Sequence, residues 1–479
     1  MVCLVFLTTS AAQALEWTPK QQRVLQEHAE VQRTFAESIT PISEDCVRQG
    51  LPDVADRIRQ LALPFAEQTL DVDVLPEEVQ PDLSPTLPQA QLRWQAPLRK
   101  LQQAYASDLY LLSRRSIEAG LPSAAFQMIR EAAFHDPDHV EARKILGYVR
   151  YEDRWTTPYT ALMLKREQVW HPQFGWLPKA AVDRYEQGER FYRGRWMSAA
   201  KESALRTAIA NGWVIETDHF IVKSNYSQER AVELTVALED LHRFFMREFS
   251  GLFNTRQQMY AMFNLGAASP TNRANKYEIW YFRNVDEFNR FLANKQPALQ
   301  GVNGIYLTDD RKAHFYANPD DPQRNIETMY HEVTHQLLSE SSRNKFPIAE
   351  ERDFWIVEGF ACYMESFRDE DGHLTVGDPR HSRTYWARQR VVTEDWYIPI
   401  AEFTSYGRRQ FQNGADLKTL QKYYSEATGL THFLLHYEDG LYRDGCIEYL
   451  AQLYTPDKSE RNNPRGLDEI LGVPFQTLD

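Results

Sequence analysis

The chain has 479 residues, 43% of them apolar and 25% charged, which is the composition of a globular protein with room for about three ordinary domains and a sizeable buried core. Its formal net charge of −13 and pI of about 5.6, with no basic cluster, argue against a nucleic-acid partner or an anionic membrane surface. No later stretch is long and apolar enough for a transmembrane helix.

Residues 1–14 begin with the apolar run Val2-Cys3-Leu4-Val5-Phe6-Leu7 and end in Ala12-Gln13-Ala14. This pattern predicts a signal peptide cleaved after Ala14 and export to the periplasm or outside, the other reading being a frayed terminus. After cleavage Cys46, Cys362 and Cys446 remain, too few and too far apart for a disulfide framework or a thiolate metal site.

Residues 15–70 read as an N-terminal helical segment, opened by Thr18-Pro19, with Val24, Leu25, Val31 and Phe35 as its apolar positions and Pro41 as its stop. Residues 71–97 contain Pro76, Pro81, Pro85, Pro88 and Pro97 and read as a linker or long surface loop. Residues 98–154 alternate helix and turn, at Gly120-Leu121-Pro122 and at His135 to Asp138, in a tetratricopeptide-like pattern. Such a module either binds a protein partner or braces its neighbour. Residues 155–212 carry Trp155, Trp170, Trp176 and Trp196 and read as a connector.

From residue 213 onward the pattern changes to strands and then helices. A strand is expected over Trp213–Lys223, a helix to about Phe249, strands over Gln258–Asn264 and Tyr277–Phe282, and a hairpin of Gly304–Leu307 with Ala313–Tyr316. The fold class expected is α+β: a mainly helical N-terminal region, then a small mixed sheet followed by a helical half.

That helical half carries the chemistry. Asp321-Pro322 gives an N-cap and a proline at the first helical position, and Ile326, Met329, Tyr330, Val333 and Leu337 recur at helical spacing. On this helix His331-Glu332-Val333-Thr334-His335 has the form H-E-x-x-H, with two imidazoles one turn apart on the face opposite the apolar stripe. The spacing fits two ligands of one zinc ion with Glu332 beside the water. A second helix, Trp355 to Glu365, carries Glu358 and Glu365 two turns apart on one face. A catalytic zinc needs a third protein ligand, and Glu358 is assigned to it. Glu365 is either the acceptor for a ligand histidine's outer N–H or a solvated carboxylate.

H-E-x-x-H followed on a later helix by W-x-x-E-G-x-x-x-Y-x-E resembles the gluzincin metallopeptidases, the peptidase MA-like superfamily that includes aminopeptidase N-like enzymes. The resemblance spans about Gly212 to Tyr454 and implies a catalytic domain over 213–479, one catalytic zinc, and a peptide or protein substrate. It also implies an edge strand beside the zinc that pairs with extended substrate, one of the hairpin strands here. In the segment Tyr424 to Leu434 it implies that Tyr424 donates to the tetrahedral intermediate, with Tyr423 the competing position. The G-x-M-E-N segment of the aminopeptidases has no counterpart: Gly301 to Tyr306 lacks a glutamate, so amino-terminal exopeptidase action does not carry over. Two other readings stand beside this one: a hydrolase acting on something other than a peptide, and a non-catalytic scaffold with a structural metal, although structural zinc sites usually fill four positions with cysteine and histidine.

Overall fold

In a computed structural model the described residues are 16–64, 74–84, 86–267, 275–299, 301–341, 347–370, 373–413, 416–455 and 457–479. The expected signal peptide, 1–14, lies outside them. The fold is α+β, mainly helical, and the described residues form one five-stranded sheet and four two-stranded hairpins. It divides into two compact units: a larger one of Pro19–Lys345 with Met364–Asp378, and a smaller one of Phe346–Tyr363 with Pro379–Asp479 and Met1–Thr18.

The larger unit begins with helices α1 (Pro19–Arg48), α2 (Pro52–Leu61), α3 (Gln89–Glu118), α4 (Pro122–His135) and α5 (Val140–Ile145). Two prolines taken as boundaries lie inside helices. Pro41 does not end α1, because Ile39, Ser43 and Cys46 on either side of it are buried, and that packing offsets the lost backbone bond. Residues 89–97 are helical rather than part of a loop, and α3 runs through Pro97 while Trp94 and Leu98 pack into the helical core. The extended segment before α3 is pinned to the fold. Val79 donates to the Asp153 carbonyl at 3.0 Å, and the buried Arg143 reaches the Pro76 carbonyl at 2.6 Å.

Residues 149–205 form three successive copies of a hairpin followed by a short helix: β1 (Val149–Tyr151), β2 (Arg154–Thr156) and α6 (Pro158–Lys165); β3 (Gln168–His171), β4 (Gly175–Pro178) and α7 (Val182–Glu186); β5 (Glu189–Tyr192), β6 (Arg195–Ser198) and α8 (Ala199–Leu205). Trp155, Trp176 and Trp196 each occupy the second position of the second strand, so the repeat is 21 and then 20 residues long. Three of the four tryptophans in the expected connector thus mark an internal repeat, while Trp170 lies on β3.

The expected strand Trp213–Lys223 is a hairpin, β7 (Trp213–Glu216) and β8 (Phe220–Ser224), followed by α9 (Gln228–Glu248). The expected strand Gln258–Asn264 is instead α10 (Arg256–Leu265). Thr255 and Gln258 form a reciprocal capping box at its start, Gly266 ends it in the left-handed conformation, and Met262 and Phe263 join the core of the N-terminal helices. Next come β9 (Tyr277–Phe282), α11 (Val285–Lys295), β10 (Gly304–Leu307) and β11 (Lys312–Tyr316).

The sheet order is β10-β11-β9-β8-β7, with β11, β9 and β8 parallel and the outer strands antiparallel, so β10 is an edge. Helix α12 (Pro322–Ser341) follows the sheet. Asp321 caps it, accepting from the Arg324 amide at 3.1 Å, and Asn325 ties its first turn to the Tyr316 carbonyl at 2.8 Å and the Tyr281 hydroxyl at 2.9 Å.

In the smaller unit, α13 (Phe354–Met364) is mostly apolar and buried along its whole length. The chain then contributes β12 (Arg368–Glu370) and β13 (His373–Thr375) to the larger unit before returning as α14 (Ser382–Glu394), α15 (Ile400–Phe403), α16 (Arg408–Asn413), α17 (Leu417–His436) and α18 (Arg443–Leu453). Gly359 on α13 faces α17, where an added Cβ would lie 2.5 Å from the Ala427 carbonyl oxygen and 2.6 Å from Thr431 Oγ1. That close approach requires glycine. Asp353, fully buried with φ of 65°, precedes α13 and accepts from the Tyr449 hydroxyl at 2.5 Å and Arg352 Nε at 2.7 Å. Burial raises its carboxyl pKa against both partners. Among the described residues no helix is long and apolar enough to cross a membrane.

Candidate metal centre

Helix α12 buries Met329, Tyr330, Val333 and Leu337, which leaves His331 and His335 half-buried on another face, as the helical spacing requires. The Nε2 atoms of His331 and His335 face one another at 3.2 Å, with the rings at 77°. Two nitrogen ligands at zinc bond lengths of about 2.0–2.1 Å in a tetrahedral set stand roughly 3.3 Å apart. Two facing lone pairs at this distance repel unless a proton or a cation lies between them. The residues present therefore fit a metal ion.

On the far side of the ring, His331 Nδ1 meets Glu365 Oε1 at 2.9 Å. That contact sets Nδ1 as the protonated nitrogen and leaves the Nε2 lone pair for a ligand, which is the orientation a carboxylate partner imposes on metal-binding histidines. Glu365 is buried at 8% exposure, and its peptide carbonyl accepts from Arg368, which in turn reaches Glu327 on α12 at 3.2 Å. Glu332 turns toward the sheet, where its Oε2 accepts the backbone N–H of Tyr306 on β10 at 2.9 Å. Sequence reasoning had no means of finding that backbone donor.

The remaining expected residues lie in the smaller unit. Glu358, 5% exposed, sits on α13 with Gln412 Nε2 at 3.3 Å from its Oε1. Tyr424 lies on α17 under the Arg383 guanidinium, 5.4 Å from the ring centre, with the Phe411 ring at 5.4 Å. Tyr423 packs among Phe403, Tyr406 and Phe411, with ring separations of 5.6 to 6.1 Å, and lines an open cleft of about 500 Å³ with Trp396, Lys418 and Lys422.

The described residues hold more than one His and Glu group whose ligand atoms lie within 4.8 Å of each other. One, His219, Glu239 and His242, belongs wholly to the larger unit. There Glu239 already accepts from the Thr217 hydroxyl, the His219 amide and His219 Nδ1, each at 2.7 Å, and the two imidazoles stack at 3.7 Å. Burial works against the charged His219 ring and the Glu239 carboxylate outweighs it, so its pKa is raised. These bonds clamp the β7–β8 turn onto α9, and the carboxylate of this group is already engaged by three donors.

Together these features define an α+β chain with a two-histidine candidate metal centre on one helix, backed by a carboxylate. No protein-family model matches the chain, and no curated protein matches it.

Proposed function

We propose that the protein is a zinc metallopeptidase of the gluzincin type, exported, acting on a peptide or protein substrate. The observation that carries the reading is the facing pair of His331 and His335 Nε2 atoms at 3.2 Å, oriented from behind by Glu365. Supporting it, the adjacent carboxylate of Glu332 is held by a peptide N–H of the sheet's edge strand, on the side where an extended chain would pair.

His331, His335 and Glu358 would hold the metal. Glu358 takes third place as the carboxylate that α13 carries seven residues before Glu365 in the sequence. A bound zinc ion would supply Lewis acidity and lower the pKa of a water to about 7. Glu332 accepts the proton of the attacking water and returns it to the leaving amine. Tyr424 donates its hydroxyl to the developing oxyanion. Glu365 keeps His331 in one tautomer throughout. Tyr423, packed against three aromatic rings and lining the open cleft, is the competing position for that donor role.

The test is incubation of the purified chain with an unbiased peptide mixture beside Glu332→Gln, with metal content measured on both. Cleavage by the parent alone, with stoichiometric metal in each, supports the reading. A parent that binds metal and cleaves nothing overturns the peptidase assignment, and one that binds no metal overturns the site.

A further inference from the structure

A glycine two residues before the strand amide that holds Glu332 sets how closely β10 can lie on α12. Gly304 pairs across the ladder with Phe315, and a Cβ built on it would stand 2.5 and 2.7 Å from Phe315 ring carbons and 3.0 Å from Thr328 Cγ2. Thr328 lies on α12, one turn before Glu332. Gly304 is absent from the chain's positive-φ glycines, so its backbone would accept alanine. What glycine supplies there is space.

The spacing explains why that space matters. Two strand residues advance about 6.7 Å and four helical residues about 6.0 Å, so a strand lying along a helix matches i, i+2 to i, i+4. Gly304 against Thr328 and Tyr306 against Glu332 are such a match. The bond from the Tyr306 N–H to Glu332 at 2.9 Å therefore depends on contact one step earlier along both elements. From this geometry we propose that Gly304 is a positioning residue: lacking a side chain, it lets β10 lie close enough on α12 for the Tyr306 amide to orient the Glu332 carboxylate for proton transfer.

This inference rests on the peptidase reading, and its consequence is a coupling between two parts of the site. The strand edge that would receive an extended substrate also aims the general base, so a displacement of β10 disturbs both. A hydrogen bond to a charged acceptor is strong enough that losing it should reduce kcat on the order of ten- to a hundred-fold.

The experiment compares the parent with Gly304→Ala, Phe315→Leu and the double variant, in the full chain, for kcat, KM and bound metal. Gly304→Ala is expected to lose kcat on that scale with metal still stoichiometric. The double variant, in which the shorter side chain opens the space the new methyl needs, is expected to recover most of it relative to Phe315→Leu. Parent-like kcat in Gly304→Ala, or a loss that the double variant does not relieve, overturns the proposal.

Selective 15N-tyrosine labelling reads the same contact without turnover. The Tyr306 amide proton should shift on Glu332→Gln in the parent background and stay insensitive to that change in the Gly304→Ala background. A parent that cleaves no peptide but shows this pattern would sink the peptidase reading and leave the packing role standing; an equal shift in both backgrounds would sink the packing role.

Discussion

Replacing Gly359 by alanine should separate α13 from α17 and cost stability far beyond what one methyl group would suggest. The new Cβ would lie 2.5 Å from the Ala427 carbonyl oxygen, 2.8 Å from its carbon and 2.6 Å from Thr431 Oγ1. An ordinary carbon–oxygen contact is near 3.3 Å, so the helices must part by about 0.8 Å, against a packing density that leaves no slack. Overpacking of this kind costs about 1–3 kcal/mol. Two of the three obstructing atoms are backbone, so rotamer changes cannot absorb it, and the upper half of that range is expected. Chemical denaturation followed by far-UV circular dichroism gives the free energy. Adding Thr431→Ala should return only a minor part, because the Ala427 carbonyl stays where it is. A Gly359→Ala variant within about 0.5 kcal/mol of the parent would refute the close-approach argument.

The metal site gives two further expectations. His331→Ala or His335→Ala should strip the metal while Glu332→Gln retains it and abolishes turnover, checked by elemental analysis beside the peptide assay; stoichiometric zinc in His331→Ala would remove that ligand. Glu365→Gln should weaken metal binding by about 10–100-fold, measured by competition with a chromogenic chelator, since it disturbs the partner of His331 Nδ1. Stability should also depend on pH through Glu426, whose pKa burial raises to about 7 against the opposing Ile398 amide and Arg390. The folded state holds that proton where the unfolded state, near 4.5, has released it, so stability falls as pH rises from about 4.5 to 7, by at most on the order of 3 kcal/mol. Glu426→Gln should flatten that slope, and an unchanged slope would mean the carboxyl is not held protonated.

What the sequence disclosed was local. The Asp321-Pro322 cap, the apolar stripe of α12 and the opposite placement of His331 and His335 follow from helical periodicity alone, and the hairpin of β10 and β11 from its turn residues. Helix α10 was misread as a strand over Gln258 to Asn264, although Thr255 and Gln258 at its start spell a capping box. Pro41 and Pro97 misled because a proline's cost is weighed against tertiary packing that a single chain segment does not display. The roles of Gly304, Tyr306 and Gly359 were beyond reach for the same reason, since each depends on what stands opposite it in space.

The three hairpin-and-helix copies of residues 149–205 suggest how this part of the chain can change length. The first hairpin is bridged to the segment before α3 through Glu78 and Arg154, but the ladders of the second and third close within their own copies, so removing or duplicating either of those leaves no strand without its partner. A change of length that keeps every ladder intact here therefore comes in steps of about twenty residues.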